Sequence, residues 1–572
     1  LSYQINFMYW RYFMWNFSGR QNDYQGYGHD ALRGNWISGI PFIDDTRLGP
    51  QDQLPEPYRS NRARNRYYML PLLLGIAGLV SHFRRRTQDA GIVLTLFFLT
   101  GVAIVMYLNQ KPFEPRERDY TFAASFYAFA IWVGLGVIPF SRFLARFLRE
   151  RIGVAVASIV ALLGVPVLMG SQNWDDHDRS HRYISVDFGK NMLNSSEKDG
   201  ILFTYADNDT FPLWYAQEAE GFRRDVRICN LTYLGGDWYV DVMNRKAYEA
   251  DPLPFNLKRE DYLEGKNDIV LVQNVLGRPY DLKQALNFVL SNDPRTKVTS
   301  PYVGGSELSY FPTNTLTVPV PASVRGTLVP QQFDSAVLDT LTLKPAGNLL
   351  YKNGFAMYCL LANNNWQRPL YYSPLLPKDM YWGLDRYFVS DAVVSEVLPV
   401  DRARTQVMTD TARANRLLMK DYSFRSFADR RVYVDETCKR MSEYYLRAFA
   451  SAIEATLAFG EKARAEQLID RCFEVLPPSQ IDWSYNWLPI VEGYYRCGAK
   501  EKGAAKVQEY ALQCIDVLTY AYKLPVRLQG TIRNDQQMAL GVLQELEKMA
   551  TLYDDAATLK LFDQLLGEKD AK

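Results

Sequence analysis

The chain has 572 residues, with 65 Lys+Arg against 64 Asp+Glu and a formal net charge of +1. That length suffices for three or four domains of roughly 100–200 residues, and the balanced charge speaks against the basic face expected of a nucleic-acid binder. Six Cys without a CxxC pair, and four His, speak against a zinc site and a disulfide scaffold.

Residues 1–66 open with an aromatic run, Tyr9-Trp10-Arg11-Tyr12-Phe13-Met14-Trp15-Asn16-Phe17. Trp and Tyr at this density beside arginine suit an interfacial segment next to a membrane. Arg11, Arg20 and Asp23 either line a substrate groove there or belong to an amphipathic interfacial helix. The stretch from Gly26 to Pro57 is rich in Gly, Pro, Asp and Asn and reads as loop.

Residues 67–170 hold four apolar runs, 67–83, 90–108, 123–140 and 152–170. Each is 17 to 19 residues long and free of Asp, Glu, Lys and Arg. Crossing the hydrocarbon core takes roughly 20 such residues, so the expectation is four transmembrane helices. The breaks at Arg84-Arg85-Arg86 and at Arg142, Arg146, Arg149 and Arg151 are short and basic, which favours the cytoplasmic side. Both ends of the chain then lie outside. Residues 1–66 follow no signal peptide and begin with Leu, so the expectation is a fragment preceded by further spans. The loop Asn109–Tyr120, NQKPFEPRERDY, packs six charges between two runs. It is either a solvated hairpin or a seat for a lipid-linked anion, where arginine forks hold phosphate.

Residues 171–435 read as an extramembrane α/β domain. Trp174-Asp175-Asp176-His177-Asp178-Arg179 suits an acidic helix N-terminus better than a metal site. Ile201–Tyr205, Val226–Leu231, Asp268–Gln273 and Leu370–Ser373 read as strands, with helices after the first and third. Asp207 and Asp209 follow the first strand, where carboxylates of α/β sites gather. They either bind a metal or sugar hydroxyl or cap the next helix. The stretch 296–345 is expected to hold irregular β structure. Residues 436–572 read as helical and repeat-like, with turns at Gly460 and Gly498, similar to tetratricopeptide pairs. The fold class is therefore multi-domain: a four-helix transmembrane region, an α/β domain and a helical repeat-like region. No P-loop, HExxH, GxSxG or Rossmann glycine fingerprint is present.

Several passages together carry a family resemblance: YWRYFMWNFSGRQND (9–23), YLNQKPFEPRERDYTFAASFYAFAIWVGLG (107–136), NWDDHDRSHRY (173–183), FTYADNDTFPLWYAQEAEGFRRDVRICNL (203–231), GDWYVDVM (236–243), NGFAMYCLLANNNWQRPLYYS (353–373) and YWGLDRYFVSD (381–391). The chain resembles the bacterial membrane family, common in Bacteroidota, that is related to a eukaryotic transmembrane protein O-mannosyltransferase. The resemblance implies a GT-C type glycosyltransferase of the bacterial inner membrane, multi-pass, with the large C-terminal region periplasmic. It would move a mannose-like sugar from a polyprenyl-phosphate carrier to a protein Ser/Thr or another envelope acceptor. The expected partners are the bilayer, that lipid-linked donor and a protein acceptor, with no nucleic acid. No cofactor and no metal ligand are assigned, and a divalent cation stays open. In GT-C enzymes the catalytic carboxylate lies in the first external loop, which is expected upstream, so no catalytic residue is assigned. Arg116 and Arg118 carry over as lipid-phosphate contacts. Arg11, Glu117, Asp119, Asp207 and Asp209 stand as candidate contacts to acceptor or sugar. The alternative of another class is a non-catalytic, membrane-anchored envelope scaffold whose helical repeats bind partner proteins.

Overall fold

A computed structural model describes residues 2–28, 30–299 and 307–570. Residues 300–306, within the stretch expected to hold irregular β structure, lie outside the described residues. The chain packs as two units, residues 1–182, 430–439 and 504–572 in one, residues 183–429 and 440–503 in the other.

In the first unit, Thr87–Leu108, Asp119–Leu144 and Glu150–His177 are long and apolar enough to cross a membrane. The chain is thereby marked as membrane-associated. The run at 67–83, expected as a fourth span, folds as the 16-residue helix Leu70–Arg85. At 1.5 Å per residue it reaches about 24 Å, short of a hydrocarbon core of about 30 Å. The physical reason lies at its start: Tyr68 and Met69 turn with φ of 54° and 57° and so take residues from the helix. In Glu150–His177 the ladder widens to a π-turn over Leu163–Val167, around Pro166, which has no N–H to give.

The aromatic opening is not an exposed interfacial strip. A π-turn over Tyr3–Trp10 runs into the helix Arg11–Phe17, and Tyr9, Tyr12, Phe13 and Phe17 are buried. They pack on Phe122, Phe126, Phe129 and Trp132 of the Asp119–Leu144 helix. Phe13 and Phe129 meet edge to face at 4.8 Å. Elsewhere in this unit Tyr520, Leu524, Leu528 and Ile532 cover Tyr24, Leu32, Leu54 and Tyr58.

The second unit is built on a five-stranded sheet. Its order is Phe388–Asp391, Val394–Val397, Leu370–Tyr372, Ile201–Thr204, Arg227–Asn230. The last three strands are parallel and the first two form an antiparallel hairpin on their edge. Ile201–Thr204 is buried along its whole length, as a strand covered on both faces must be. A four-stranded sheet carries Ile269–Val272 and Glu307–Phe311 side by side in parallel. Helices Glu436–Ala458 and Lys462–Val475 meet at Gly460, and Leu488–Cys497 ends at Gly498. Both glycines hold positive φ, 78° and 94°, the left-handed cap that ends a helix without Cβ strain.

Candidate functional site

The loop between Thr87–Leu108 and Asp119–Leu144 is held by the aromatic helix beneath it. Arg11 grips Glu117 in a two-pronged ion pair, Nη1 to Oε1 at 2.9 Å and Nη2 to Oε2 at 2.7 Å. The Gly26 N–H donates to Glu117 Oε1 at 3.0 Å and the Tyr12 hydroxyl donates to Oε2. Arg11 also donates to the Gly34 carbonyl at 2.8 Å, and its guanidinium lies 3.8 Å from the Phe7 ring centroid. Burial resists the ionisation of Glu117, but the bonds and charge of Arg11 outweigh it and hold the carboxyl below its usual value. Arg11 and Glu117 thus satisfy each other and fix the loop.

The other loop charges divide in two. Arg118 donates to Glu114 at 2.8 Å and to the Tyr120 hydroxyl at 2.8 Å, while its backbone N–H donates to the Tyr12 hydroxyl at 3.1 Å. Arg116 and Lys111 are exposed and in no ion pair among the described residues; Arg116 stands 5.8 Å from the Tyr120 ring. Asp119 is half-buried in the field of Arg20. Arg20 lies 4.1 Å over the Trp15 ring. Burial works against its cation, but Asp23, Asp119 and Glu117 outweigh that and keep it charged. Asp23 in turn accepts from the Tyr433 hydroxyl and from Asn61 at 2.8 Å.

In the second unit, Asp207 and Asp209 sit where Ile201–Thr204 turns into the helix Ala206–Glu218. Ala206 takes φ of 57° at that junction, a left-handed position that costs a non-glycine residue roughly 1 kcal/mol. The turn separates the two acids. Asp209 is fully buried and accepts the Tyr205 N–H at 3.0 Å; burial pushes its carboxyl up to about 6 against the hydrogen bonds from Ser373 and Tyr205. Asp207 is exposed and accepts from the Tyr233 hydroxyl at 3.3 Å. Beside it runs an aromatic row: Phe211 to Trp214 at 5.6 Å, Trp214 to Tyr233 at 6.2 Å, Tyr233 to Trp238 at 5.9 Å. Trp238 is 56% exposed.

Residues 185–416 match the family model described as TMEM260-associated domain 2. The match links the chain to the TMEM260 family and takes in Asp207, Asp209 and the aromatic row. The membrane helices and the Arg11–Glu117 cluster lie outside the TMEM260-associated domain. No curated protein and no solved structure matches the chain.

Sequence reasoning missed Tyr433, which reaches Asp23 from 410 positions away and left no local signal. It also misplaced the acids of 174–179. Asp175 and Asp176 lie in the last turn of Leu168–His177, not at a helix start. There Asp176 is tied to His177 Nδ1 at 2.7 Å and accepts from Asn65 at 3.2 Å. Among the described residues no group of three or more His, Cys, Asp or Glu is placed to hold a metal ion.

Proposed function

We propose that this chain works in an integral-membrane glycosyltransferase of the bacterial inner membrane, its second unit on the periplasmic side. The enzyme moves a mannose-like sugar from a polyprenyl-phosphate carrier to a protein Ser/Thr or another envelope acceptor. The observation that carries this reading is the pair of uncompensated cations, Lys111 and Arg116, on a loop joining two apolar helices. A lipid-linked phosphate lies at that depth. In transfer the acceptor hydroxyl gives its proton to a general base as its oxygen bonds to the anomeric carbon, the bond from that carbon to the phosphate oxygen breaks, and the phosphate leaves with the electron pair. A fixed cation at the phosphate favours that charge as it develops. Arg116 is the contact presented to the lipid, Arg118 shares its guanidinium with Glu114, and Arg11 with Glu117 positions the loop. Asp119, half-buried in the field of Arg20, is a further candidate contact to acceptor or sugar. Asp207 and the aromatic row beside it offer a carboxylate acceptor and flat apolar faces to sugar or acceptor, and Asp209 supports the turn from below.

The test is transfer from a polyprenyl-phosphate-linked mannose to a Ser/Thr peptide with the full-length protein that contains this chain in nanodiscs. Arg116→Ala should lower kcat/KM for the donor about tenfold, or about 1.4 kcal/mol. Its thermal midpoint should stay put, since an exposed side chain contributes within about 0.5 kcal/mol of stability. Unchanged transfer in the Arg116→Ala chain would remove the lipid-phosphate role. No transfer by the folded full-length protein, with several lipid-linked sugars tried, would remove the enzymatic reading.

A further inference from the structure

An apolar cleft of about 390 Å³ opens between the membrane helices of the first unit. Leu73 and Ala77 of Leu70–Arg85 form one wall, Pro139 and Phe143 of the Asp119–Leu144 span a second, and Val160 and Gly164 of the Glu150–His177 span a third. No lining side chain carries a polar atom, so water finds no partner there. Leu73, Phe143 and Val160 are exposed, so the cleft opens outward. Two of its walls belong to spans, and what it opens onto is hydrocarbon.

The three walls share a second property. A helix face recurs at steps of three and four residues, and each wall, followed towards one membrane end, runs into an arginine. Leu73 and Ala77 lead to Arg84, and Pro139 and Phe143 lead to Arg146 in the turn that continues their helix. Val160 leads back through Gly153 to Arg149 at the cap of Glu150–Leu162. A Cβ on Gly153 would stand 3.0 Å from the Ala145 nitrogen, so the two arms of this hairpin touch and bring Arg146 and Arg149 together. Arg84 shares their side of the membrane, because Thr87–Leu108 starts there and Asp119–Leu144 ends there. At 1.5 Å per residue, Arg84 lies about 16 Å along the axis from Leu73, and Arg149 about 16 Å from Val160. That is the depth of one leaflet, half of a hydrocarbon core of about 30 Å. Arg84, Arg146 and Arg149 are exposed and in no ion pair among the described residues.

A basic loop alone sets orientation and needs no ligand. These cations, however, stand one leaflet's depth from a dry cleft on the same helix faces. A soluble anion has no use for the cleft, and a neutral lipid has none for the arginines. The lipid-linked sugar donor is excluded by position, since Arg116 lies on the loop at the opposite end of Asp119–Leu144. We propose that this hairpin binds an anionic phospholipid, with one acyl chain in the cleft and the phosphate held by Arg146 and Arg149 beside Arg84. Guanidinium forks take a phosphate through two parallel hydrogen bonds, and basic seats between membrane helices take acidic head groups. The lipid ties Leu70–Arg85, too short to cross by itself, to the two spans that share the cleft.

The probe is phosphatidylglycerol, added to the delipidated full-length protein that contains this chain and read by native mass spectrometry against phosphatidylcholine of the same acyl chains. The expected result is a single phosphatidylglycerol retained with about tenfold preference. Arg146→Gln combined with Arg149→Gln should bring the two lipids to within about twofold of each other. Arg84, Arg85, Arg86, Arg142 and Arg151 stay in place to hold the orientation, and the thermal midpoint in phosphatidylcholine nanodiscs should not move. Ala161 also lines the cleft. Ala161→Phe fills it and should lower phosphatidylglycerol retention about tenfold with every arginine present. Four outcomes would overturn the proposal: equal retention of the two phospholipids, undiminished preference in the arginine variant, undiminished retention in Ala161→Phe, or tighter retention of a polyprenyl phosphate than of phosphatidylglycerol.

Discussion

Asp209 is a carboxyl whose place in the fold resists its charge. Its value rises from 3.8 to about 6 because burial outweighs the hydrogen bonds from Ser373 and Tyr205. A carboxyl raised in the folded state holds a proton that the unfolded chain has already lost. Between about pH 4 and pH 6 the native state therefore binds more protons, and stability falls as pH rises through that window. The full difference amounts to at most about 3 kcal/mol at roughly 1.4 kcal/mol per unit. Asp209→Asn keeps an oxygen for the Tyr205 N–H and takes no charge. It should flatten the wild-type fall in thermal midpoint between pH 4 and pH 6, and a parallel fall in the variant would show that the slope has another source. The neighbouring Asp207 is exposed and should leave that slope alone. The sequence placed both acids after a strand and left capping and sugar binding open. It had no means of separating them, because the turn at Ala206 that buries one and exposes the other rests on Thr232 and Asn230, a strand away.

At the scale of elements, the apolar runs were legible because a membrane helix needs little beyond composition and length. What composition does not carry is how helices meet. Leu70–Arg85 and Asp119–Leu144 approach so closely that a Cβ on Gly78 would stand 1.8 Å from the Trp132 carbonyl oxygen, and one on Gly136 2.1 Å from that of Leu74. Small residues at such crossings let backbones touch and gain packing where no hydrophobic force separates helix from lipid. Gly78→Ala must push these helices apart, at a cost of about 1–3 kcal/mol typical of overpacking. A lowered thermal midpoint in detergent, with the helix content of the native chain retained, is the expected reading. An unshifted midpoint would mean that the crossing is looser than its geometry. Gly91 serves as the control, since nothing lies within 4 Å of a Cβ there. The five-stranded sheet was legible in part: three of its strands fall on predicted runs, Ile201–Tyr205, Val226–Leu231 and Leu370–Ser373. Its edge hairpin was not foreseen, because Phe388–Asp391 and Val394–Val397 carry Asp391 and Glu396 on a buried face, against the alternation that marks a strand.

Across the whole chain, the hidden information is long-range pairing. Residues 26–57 read as loop from their Gly, Pro, Asp and Asn, but Pro41–Leu48 within them folds as a two-turn helix, started by Pro41 at its first position. Leu32, Leu54 and Tyr58 are buried, because Leu524, Leu528 and Ile532 lie over them within the same unit. Polar groups fix the register of that contact. Arg33 reaches Asp535 with both terminal nitrogens, and its Nη2 also donates to the Tyr58 hydroxyl at 2.9 Å. Burial opposes the Arg33 cation, and its acidic partners and Tyr58 raise its hold on the proton in spite of it. Removing one partner of a half-buried pair leaves the other poorly solvated, which costs more than the pair itself contributes. Asp535→Ala should therefore loosen the loop by about 1–3 kcal/mol while leaving the membrane helices folded. Limited trypsin digestion reads this directly, because Arg33 and Arg47 both lie in the covered stretch. Faster cleavage there in Asp535→Ala, with the wild-type rate largely restored in Asp535→Glu, is the expected pattern. Cleavage at the wild-type rate in both variants would mean that the apolar cover alone holds the loop and that the ion pair only decorates it.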